Sequence, residues 1–380
     1  MVDLNTSFLN EIFDKYNFNN DQYVGCKVIS KGHINTTYVL YFDYGNKVKR
    51  FLLQEINTEV FKEPEKLMKN ISKVTSFALK KLKNKSKKYK NKTLRIYKSK
   101  NKETYVRLKD NSCWRVYHYI ENSISIDKTI DNTIMYESGK VIGDFYNIYN
   151  NFDSKKIYEV IKDFHNTPKR FQTFIESTIN NPLCLSCKNE IDFLISNQKI
   201  SSLIQDLIDS DKMPIRVSHN DTKLNNIMFE YKSNKGICLV DLDTIMPGCI
   251  CFDYGDFVRS ACNSSFEDEK DLEKVNFLFE QFISFSEGFI EKTKKFISDI
   301  EIDNLVNGAI VMTYECGMRF LTDYLNNNVY FKTSYKDQNL VRAKTQIHLC
   351  KQIIANKEKL EEIIKNMYIN TKASWLSTLY

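Results

Sequence analysis

The segment V-S-H-N-D-T-K-L-N-N-I-M-F, Val217 to Phe229, decides how this chain is read, together with C-L-V-D-L-D-T, Cys238 to Thr244. A short apolar strand ends at a polar loop, and two further β-branched runs follow within the stretch 215–245. Asp221 sits on the loop just after the first strand. A protic nucleophile needs a positioned carboxylate to take its proton, and Asp221 fits that role. Asn226 follows five residues later, and Asp241, at the end of an apolar strand, follows twenty residues after Asp221. Mg²⁺ takes hard oxygen ligands, usually one or two carboxylates beside phosphate oxygens and water. Base, amide and carboxylate in this order are the parts of a phosphoryl-transfer site. An isolated D-x₄-N reads as a turn or Asx cap. Three elements in order, on strand-loop-strand-strand, point to ATP- and Mg²⁺-dependent phosphoryl transfer. His219, a lone histidine with no second ligand, reads as a brace of the loop rather than a metal ligand.

Outward from this segment, the first ~120 residues alternate as strands with one inserted helix. Val24–Ser30, Thr36–Phe42, Arg50–Glu55, Leu94–Tyr97, Thr104–Leu108 and the apolar run Cys113–Ile120 are the strand candidates. Pro64 opens the helix, with Glu65 complementing its dipole and Leu67, Met68, Ile71, Val74, Phe77 and Ala78 as its apolar stripe. The remainder is mostly helical, with long periodic segments over 130–150, 188–208, 268–295, 303–325 and 338–367. The fold class expected is therefore α+β, with a β-rich N-terminal part and a helical C-terminal part.

The composition is that of a globular protein: 42% hydrophobic and 27% charged over 380 residues. With 11 Gly and 5 Pro no long flexible linker is expected. The abundance of Asn, Lys and Ile reads as compositional bias of the source genome rather than chemistry. The net charge of +7 owes much to Lys80–Lys92, which holds eight lysines. Only Tyr89 could stack a base there, so a solvated helix end is the simpler reading than a nucleic-acid patch. Met1–Phe13 carries acids and no basic region, unlike a signal peptide. The 10 Cys are then expected as free thiols, and Cys184-x-x-Cys187 lacks a matching second pair. No apolar run reaches the ~18 residues that span a bilayer. A soluble, cytoplasmic protein without membrane or nucleic-acid partners is expected.

H-N-D-T-K-L-N-N-I-M-F and V-D-L-D-T-I-M-P-G resemble the aminoglycoside phosphotransferase and choline kinase superfamily. More narrowly, the chain resembles the N-acetylhexosamine 1-kinases. That resemblance rests on these two motifs and on G-H-I-N-T-T-Y (32–38), L-Q-E-I-N-T-E-V-F-K-E-P-E (53–65), W-R-V-Y-H-Y-I-E (114–121), F-D-Y-G-D-F-V-R (252–259), G-M-R-F-L-T-D-Y-L (317–325) and Tyr330-Phe331-Lys332. It implies a bilobed protein-kinase-like fold, a nucleotide-binding lobe over 1–120 and a catalytic lobe over 121–380, with ATP in the cleft. Asp221 would be the base, and Asn226 and Asp241 would hold Mg²⁺. Asp243, Thr244, Arg319 and Tyr330 would surround the sugar, and His33 would reach the sugar or the phosphates. Adenine would bind the backbone at Tyr119, Ile120 and Glu121. The implied reaction is phosphorylation of the C1 hydroxyl of N-acetylglucosamine or N-acetylgalactosamine.

Two departures stand out. Gln54 occupies the third-strand position where kinases carry a phosphate-binding Lys, and Asn220 replaces the Gly of the usual H-G-D loop. Taken alone, Arg319 reads equally as a structural salt-bridged residue, and Tyr330 as core. Asp253 and Asp256 read as caps and loop braces, and Trp114 and Trp375 as packing residues. The rival readings are a kinase of choline, ethanolamine or another amino alcohol, or of aminoglycosides; a non-catalytic nucleotide-binding pseudokinase; and a nucleic-acid-binding module.

Overall fold

Side chains of a strand point to alternate faces, so in Val48–Ile56 Phe51 and Leu53 share one face and are buried there. The computed structural model describes residues 5–29, 35–84 and 89–377. It divides into two units, one of Met1–Ser123 with Ile157–Ile161, the other of Ile124–Lys156 with Lys162–Tyr380. In the first unit, helix α1 (Thr6–Lys15) precedes strands β1 (Tyr23–Ile29), β2 (Thr37–Asp43) and β3 (Val48–Ile56). Helix α2 (Pro64–Lys83) and strands β4 (Ile96–Tyr97), β5 (Val106–Arg107) and β6 (Cys113–His118) complete it. The antiparallel sheet runs β1-β2-β3-β6-β4, with β5 also on β6. Its one face packs an aromatic core with α1, in which Phe13, Phe18, Phe42, Phe51 and Trp114 take part. Arg115 alternates with Trp114 and Val116, and its guanidinium reaches Met68 Sδ of α2 at 3.6 Å. Helix α2 opens with Pro64 at its first turn, and Glu65 accepts a hydrogen bond from the Tyr105 hydroxyl at 2.8 Å.

Strand β7 (Ser123–Ser125) lies at the boundary of the units. The second unit then carries helices α3 (Asn132–Tyr149), α4 (Thr167–Thr178), α5 (Lys188–Ser196) and α6 (Gln205–Asp209). Strands β8 (Arg216–Ser218), β9 (Ile227–Glu230), β10 (Gly236–Leu239) and β11 (Met246–Gly248) follow. Helices α7 (Ile250–Ala261), α8 (Phe279–Thr293), α9 (Asp299–Asp303), α10 (Leu305–Leu325), α11 (Gln338–Ala355) and α12 (Lys357–Ser377) close the chain. Thus the expected β-rich N-terminal part and helical C-terminal part are both present. No helix among the described residues is long and apolar enough to cross a membrane, and all ten cysteines are free thiols.

The periodic segments are more broken than their apolar spacing implies. Three helix ends share one device. Asn197 ends α5, Asn304 separates α9 from α10, and Asn356 separates α11 from α12. Each side-chain amide donates at 2.8 Å to the carbonyl four residues back, Phe193, Ile300 and Gln352 respectively. At Asn197 and Asn356 the same carbonyl also accepts the asparagine's own backbone N–H, so side chain and backbone converge on one acceptor at the helix end. A further break lies in 268–278. The Asn263–Phe277 bridge and the Ser264 hydroxyl on the Lys274 carbonyl hold that stretch as a loop, and α8 begins only at Phe279. Helix α4 is an addition to the sequence reading. Asparagine is also the main left-handed residue: of twelve non-glycine positive-φ positions among the described residues, seven are Asn.

Glycine sets the approach of the helices that carry the site. A Cβ on Gly308 of α10 would lie 2.1 Å from the Cys251 carbonyl of α7, and one on Gly255 of α7 would lie 2.3 Å from the Gly308 carbonyl. The same reciprocal contact joins α3 and α8 through Gly139 and Gly288. Gly308→Ala should therefore push α10 off α7 and cost roughly 2–3 kcal/mol. Calorimetric unfolding checks this, and an unchanged melting temperature would mean that α7 and α10 can slide apart freely.

Candidate active site

Strand β8 delivers the chain to His219, Asn220 and Asp221, and β9 takes it away after Asn226. Asn220 adopts φ 63°, the left-handed region in which Asn is tolerated far better than other side chains. That accounts for the departure from H-G-D: the loop needs this backbone angle, and Asn supplies it where Gly otherwise would. The Asn220 amide also donates to the Thr244 carbonyl at 2.9 Å, so the substitution adds a tie.

The loop hangs on Asp253 of α7. This fully buried carboxylate accepts from the His219 N–H at 2.8 Å, the Asn220 N–H at 2.6 Å and the Tyr146 hydroxyl at 2.6 Å. Asp253 thus acts as a loop brace, while Asp256 pairs with Arg259 at 2.7 Å. The N-cap of α7 is Cys249 rather than an aspartate. His219 Nε2 lies 2.8 Å from the Val240 carbonyl, which can only accept, while Nδ1 receives the Asp221 N–H at 3.3 Å. These bonds assign the proton to Nε2 and make His219 a brace between the loop and the end of β10.

Asp221 is about a third exposed and is gripped at both oxygens. Lys223 Nζ lies 2.9 Å from Oδ1, and the Asn226 amide donates to Oδ2 at 3.0 Å and to the Asp221 carbonyl at 2.9 Å. Burial pushes the carboxyl up, but Lys223 foremost outweighs it and holds the group at about 2. Lys223, whose own affinity for its proton is raised by Asp221, was missed in the sequence; its only signal there is its place two residues after the aspartate.

Asn226 and Asp241 are brought together by the β9–β10 hairpin, in which Ile227 pairs with Leu239 and the Val240 N–H donates to the Asn226 carbonyl at 2.8 Å. Asp241 is exposed, in the left-handed region at φ 59°. With Asn226 Nδ2 engaged by Asp221, its Oδ1 is the amide atom left for a cation. An exposed carboxylate beside an amide oxygen is a hard-oxygen donor set of the kind Mg²⁺ takes with phosphates.

The acceptor-side candidates divide. Asp243 and Thr244 are buried in the turn after Asp241, and the Thr244 hydroxyl donates to the His219 carbonyl at 2.7 Å. Arg319 and Tyr330 do meet. The Arg319 guanidinium lies 5.4 Å from the Phe164 ring, 5.8 Å from Tyr330 and 5.5 Å from Phe331, and hydrogen-bonds no acceptor among the described residues. Tyr330 is exposed, its backbone fixed by Asp323 at 2.7 Å. Arg170 stands close enough to Arg319 that burial and this like charge both lower its affinity for its proton. A relay that local sequence could not reveal ties this group to the loop: His165 joins Glu315, one turn before Arg319, at 2.9 Å and the Asn220 carbonyl at 3.2 Å.

In the first unit, Gln54 accepts from the buried Arg115 at 2.6 and 3.0 Å and donates to the Thr37 hydroxyl at 3.0 Å. The cation of this strand pair is therefore on β6, and an amide is the partner it needs on β3. Tyr119 carries the Arg50 guanidinium 4.2 Å from its ring centre, and Glu121 is salt-bridged to the same arginine. The Tyr119 N–H donates to the Arg50 carbonyl at 3.3 Å, and the Ile120 carbonyl accepts from Ser123 at 2.6 Å. His33 lies outside the described residues.

Two outcomes follow from these contacts. Gln54→Lys would set an ammonium against the buried Arg115 and should cost about 3 kcal/mol, checked by denaturant unfolding; unchanged stability would show that Arg115 has another resting place. Lys223→Met removes the chief influence holding Asp221 down, while burial continues to push it up. The acidic limb of kcat/KM should then move upward by roughly one pH unit or more, and an unmoved limb would disconnect Asp221 from it.

Residues 161–274, which hold the braced loop and Asp241, match the model of the phosphotransferase enzyme family APH. The fold is similar to that of a microcompartment-associated aminopropanol kinase, with TM-score 0.58 at 9% identity over 94% of this chain and 99% of that one. It is likewise similar to choline kinase from Cryptosporidium parvum, at 0.57 and 12% over 96% and 100%. A spectinomycin phosphotransferase in complex with ADP and spectinomycin matches at 0.50 and 12% over 96% and 99%. The segment that holds the braced loop is thus similar to that family, and these solved structures share the fold of the chain.

Proposed function

We propose that the chain transfers the γ-phosphoryl group of ATP to the anomeric hydroxyl of an N-acetylhexosamine. The observation that carries the phosphotransfer part is Asp221, gripped by Lys223 and Asn226 on a loop anchored to Asp253, with Asp241 on the adjoining hairpin. In this reading the first unit binds the nucleotide and the second carries the chemistry. Since the Tyr119 N–H and the Ile120 carbonyl are already engaged, the adenine edge would be read at Glu121.

Phosphoryl transfer asks a protein mainly for positioning and charge neutralisation. Mg²⁺, when bound, would supply charge neutralisation at the phosphates, held by Asn226 Oδ1 and the Asp241 carboxylate. Asp221 would orient the acceptor hydroxyl and take its proton, and Lys223 would keep the carboxylate ionised. A carboxylate held near 2 is a weak base, which suits an acidic hydroxyl. The anomeric hydroxyl of a sugar is more acidic than an ordinary alcohol, and this supports C1 as the acceptor position. Arg319, boxed by three rings with its N–H groups left for a ligand, would hold ring oxygens, with Tyr330 beside it.

The similar folds named for aminopropanol and choline kinases favour a second reading, a kinase of amino alcohols. Arg170 and Arg319 weigh against it, because two guanidinium groups at the acceptor would repel a cation.

A coupled ADP-release assay over free hexosamines and amino alcohols decides between them. N-acetylhexosamines should release ADP, and choline and ethanolamine should not. The sugar product should lose its reducing reaction and show phosphorus coupling to the anomeric proton; a reducing product would remove C1 while keeping the kinase. Asp221→Asn should lower kcat roughly 10²–10⁴-fold with ATP binding intact. Near-full activity in that variant would remove Asp221 from the mechanism. Asp241→Ala should shift the Mg²⁺ titration to higher concentration, and a superimposable curve would exclude it as a ligand.

A further inference from the structure

Away from this constellation, the first unit carries an open cleft of about 500 Å³ between the C-terminal half of α2, the segment 89–98 and the end of β6. Five cations line it: Lys80, Lys83, Lys90, Arg95 and Lys98. No acidic residue does, and none of the five forms an ion pair among the described residues. Elsewhere lysines of this protein find carboxylates, as Lys66 does with Glu63 and Lys140 with Glu137. Ser72 and Ser76 of α2 add hydroxyl donors to the same wall.

We propose that this cleft is a second anion site, in which these five cations converge on a small molecule bearing two or more phosphate groups. Arg95 is the central argument. Its side chain is partly buried, and no carboxylate or carbonyl among the described residues hydrogen-bonds it. A partly buried guanidinium with no acceptor is an unmet demand that an anion satisfies. His118 at the cleft edge reports the same field: burial first, then Arg95, Lys90 and Lys49, push its imidazole down to about 4. The size favours a small ligand, since sites for small molecules span roughly 300–1,000 Å³. A nucleic-acid strand would want a row of aromatic platforms, and Tyr89 is the single aromatic ring in the lining other than His118. His118 directly precedes Tyr119, so an occupant would press on the segment proposed to read adenine.

The test uses the full chain at physiological salt with EDTA present, which removes any metal-dependent binding at Asp241. Sodium pyrophosphate and tripolyphosphate are titrated by calorimetry into the parent, Arg95→Gln, the exposed pair Lys83→Gln/Lys98→Gln, and Asp241→Ala. One anion should bind the parent and Asp241→Ala alike, and roughly tenfold or more weakly in the other two. If Arg95→Gln fails to fold, the double lysine variant decides. Absence of binding to the parent, or equal binding in the lysine variant, overturns the proposal. Tighter binding of a 20-nucleotide single strand than of tripolyphosphate, lost in the lysine variant, would also overturn it and make the face a nucleic-acid surface.

Discussion

A single buried carboxylate fixes the geometry on which the candidate site rests. Asp253 has no exposed surface, and its two oxygens take the backbone N–H groups of His219 and Asn220 and the hydroxyl of Tyr146. Burial works against its charge and pushes its proton affinity up. The converging donors compensate, as buried polar groups require. Because Asp253 stands on α7, and α7 is seated on α10 through the Gly255–Gly308 approach, the loop inherits the rigidity of two packed helices. The His165–Glu315 relay adds a second tie from α10 to the Asn220 carbonyl. The acceptor-side Arg319 is on that same helix.

Charge is redistributed rather than lost where this chain departs from the usual kinase pattern. At the third strand the expected lysine is Gln54, and the cation beside it is Arg115 on β6. In the loop, the lysine beside Asp221 is Lys223, whose pairing with it keeps the carboxylate ionised in a partly enclosed setting. Each arrangement gives a charge a defined hydrogen-bond partner, which for the buried Arg115 is the condition for tolerating it.

The abundance of asparagine has structural consequences that composition alone conceals. With 11 glycines in 380 residues, the chain uses Asn at most of its non-glycine left-handed turns. It also uses Asn to stop helices, the amide folding back onto the carbonyl four residues earlier at Asn197, Asn304 and Asn356. Asn220 joins these functions to the site, since the backbone angle it accepts aims Asp221 into the loop.

The sequence by itself determined the fold class and which residues share the candidate loop. The strand run Arg50–Glu55, the proline opening α2, and the Asp221, Asn226, Asp241 spacing are all local, and local spacing dictates which side chains share a strand end or a loop. Tertiary structure alone decided what surrounds those residues. Asp253 braces a backbone some thirty residues upstream, Glu315 reaches His165 across 150 residues, and Arg115 meets Gln54 across 61. Such contacts depend on how separate elements pack, and no periodicity records them. The helix stop at Asn356 was equally hidden, because the apolar spacing of 338–367 continues through it. Partner choice for a buried charge is a property of the packed interior, where an unpaired group is costly enough to select one arrangement.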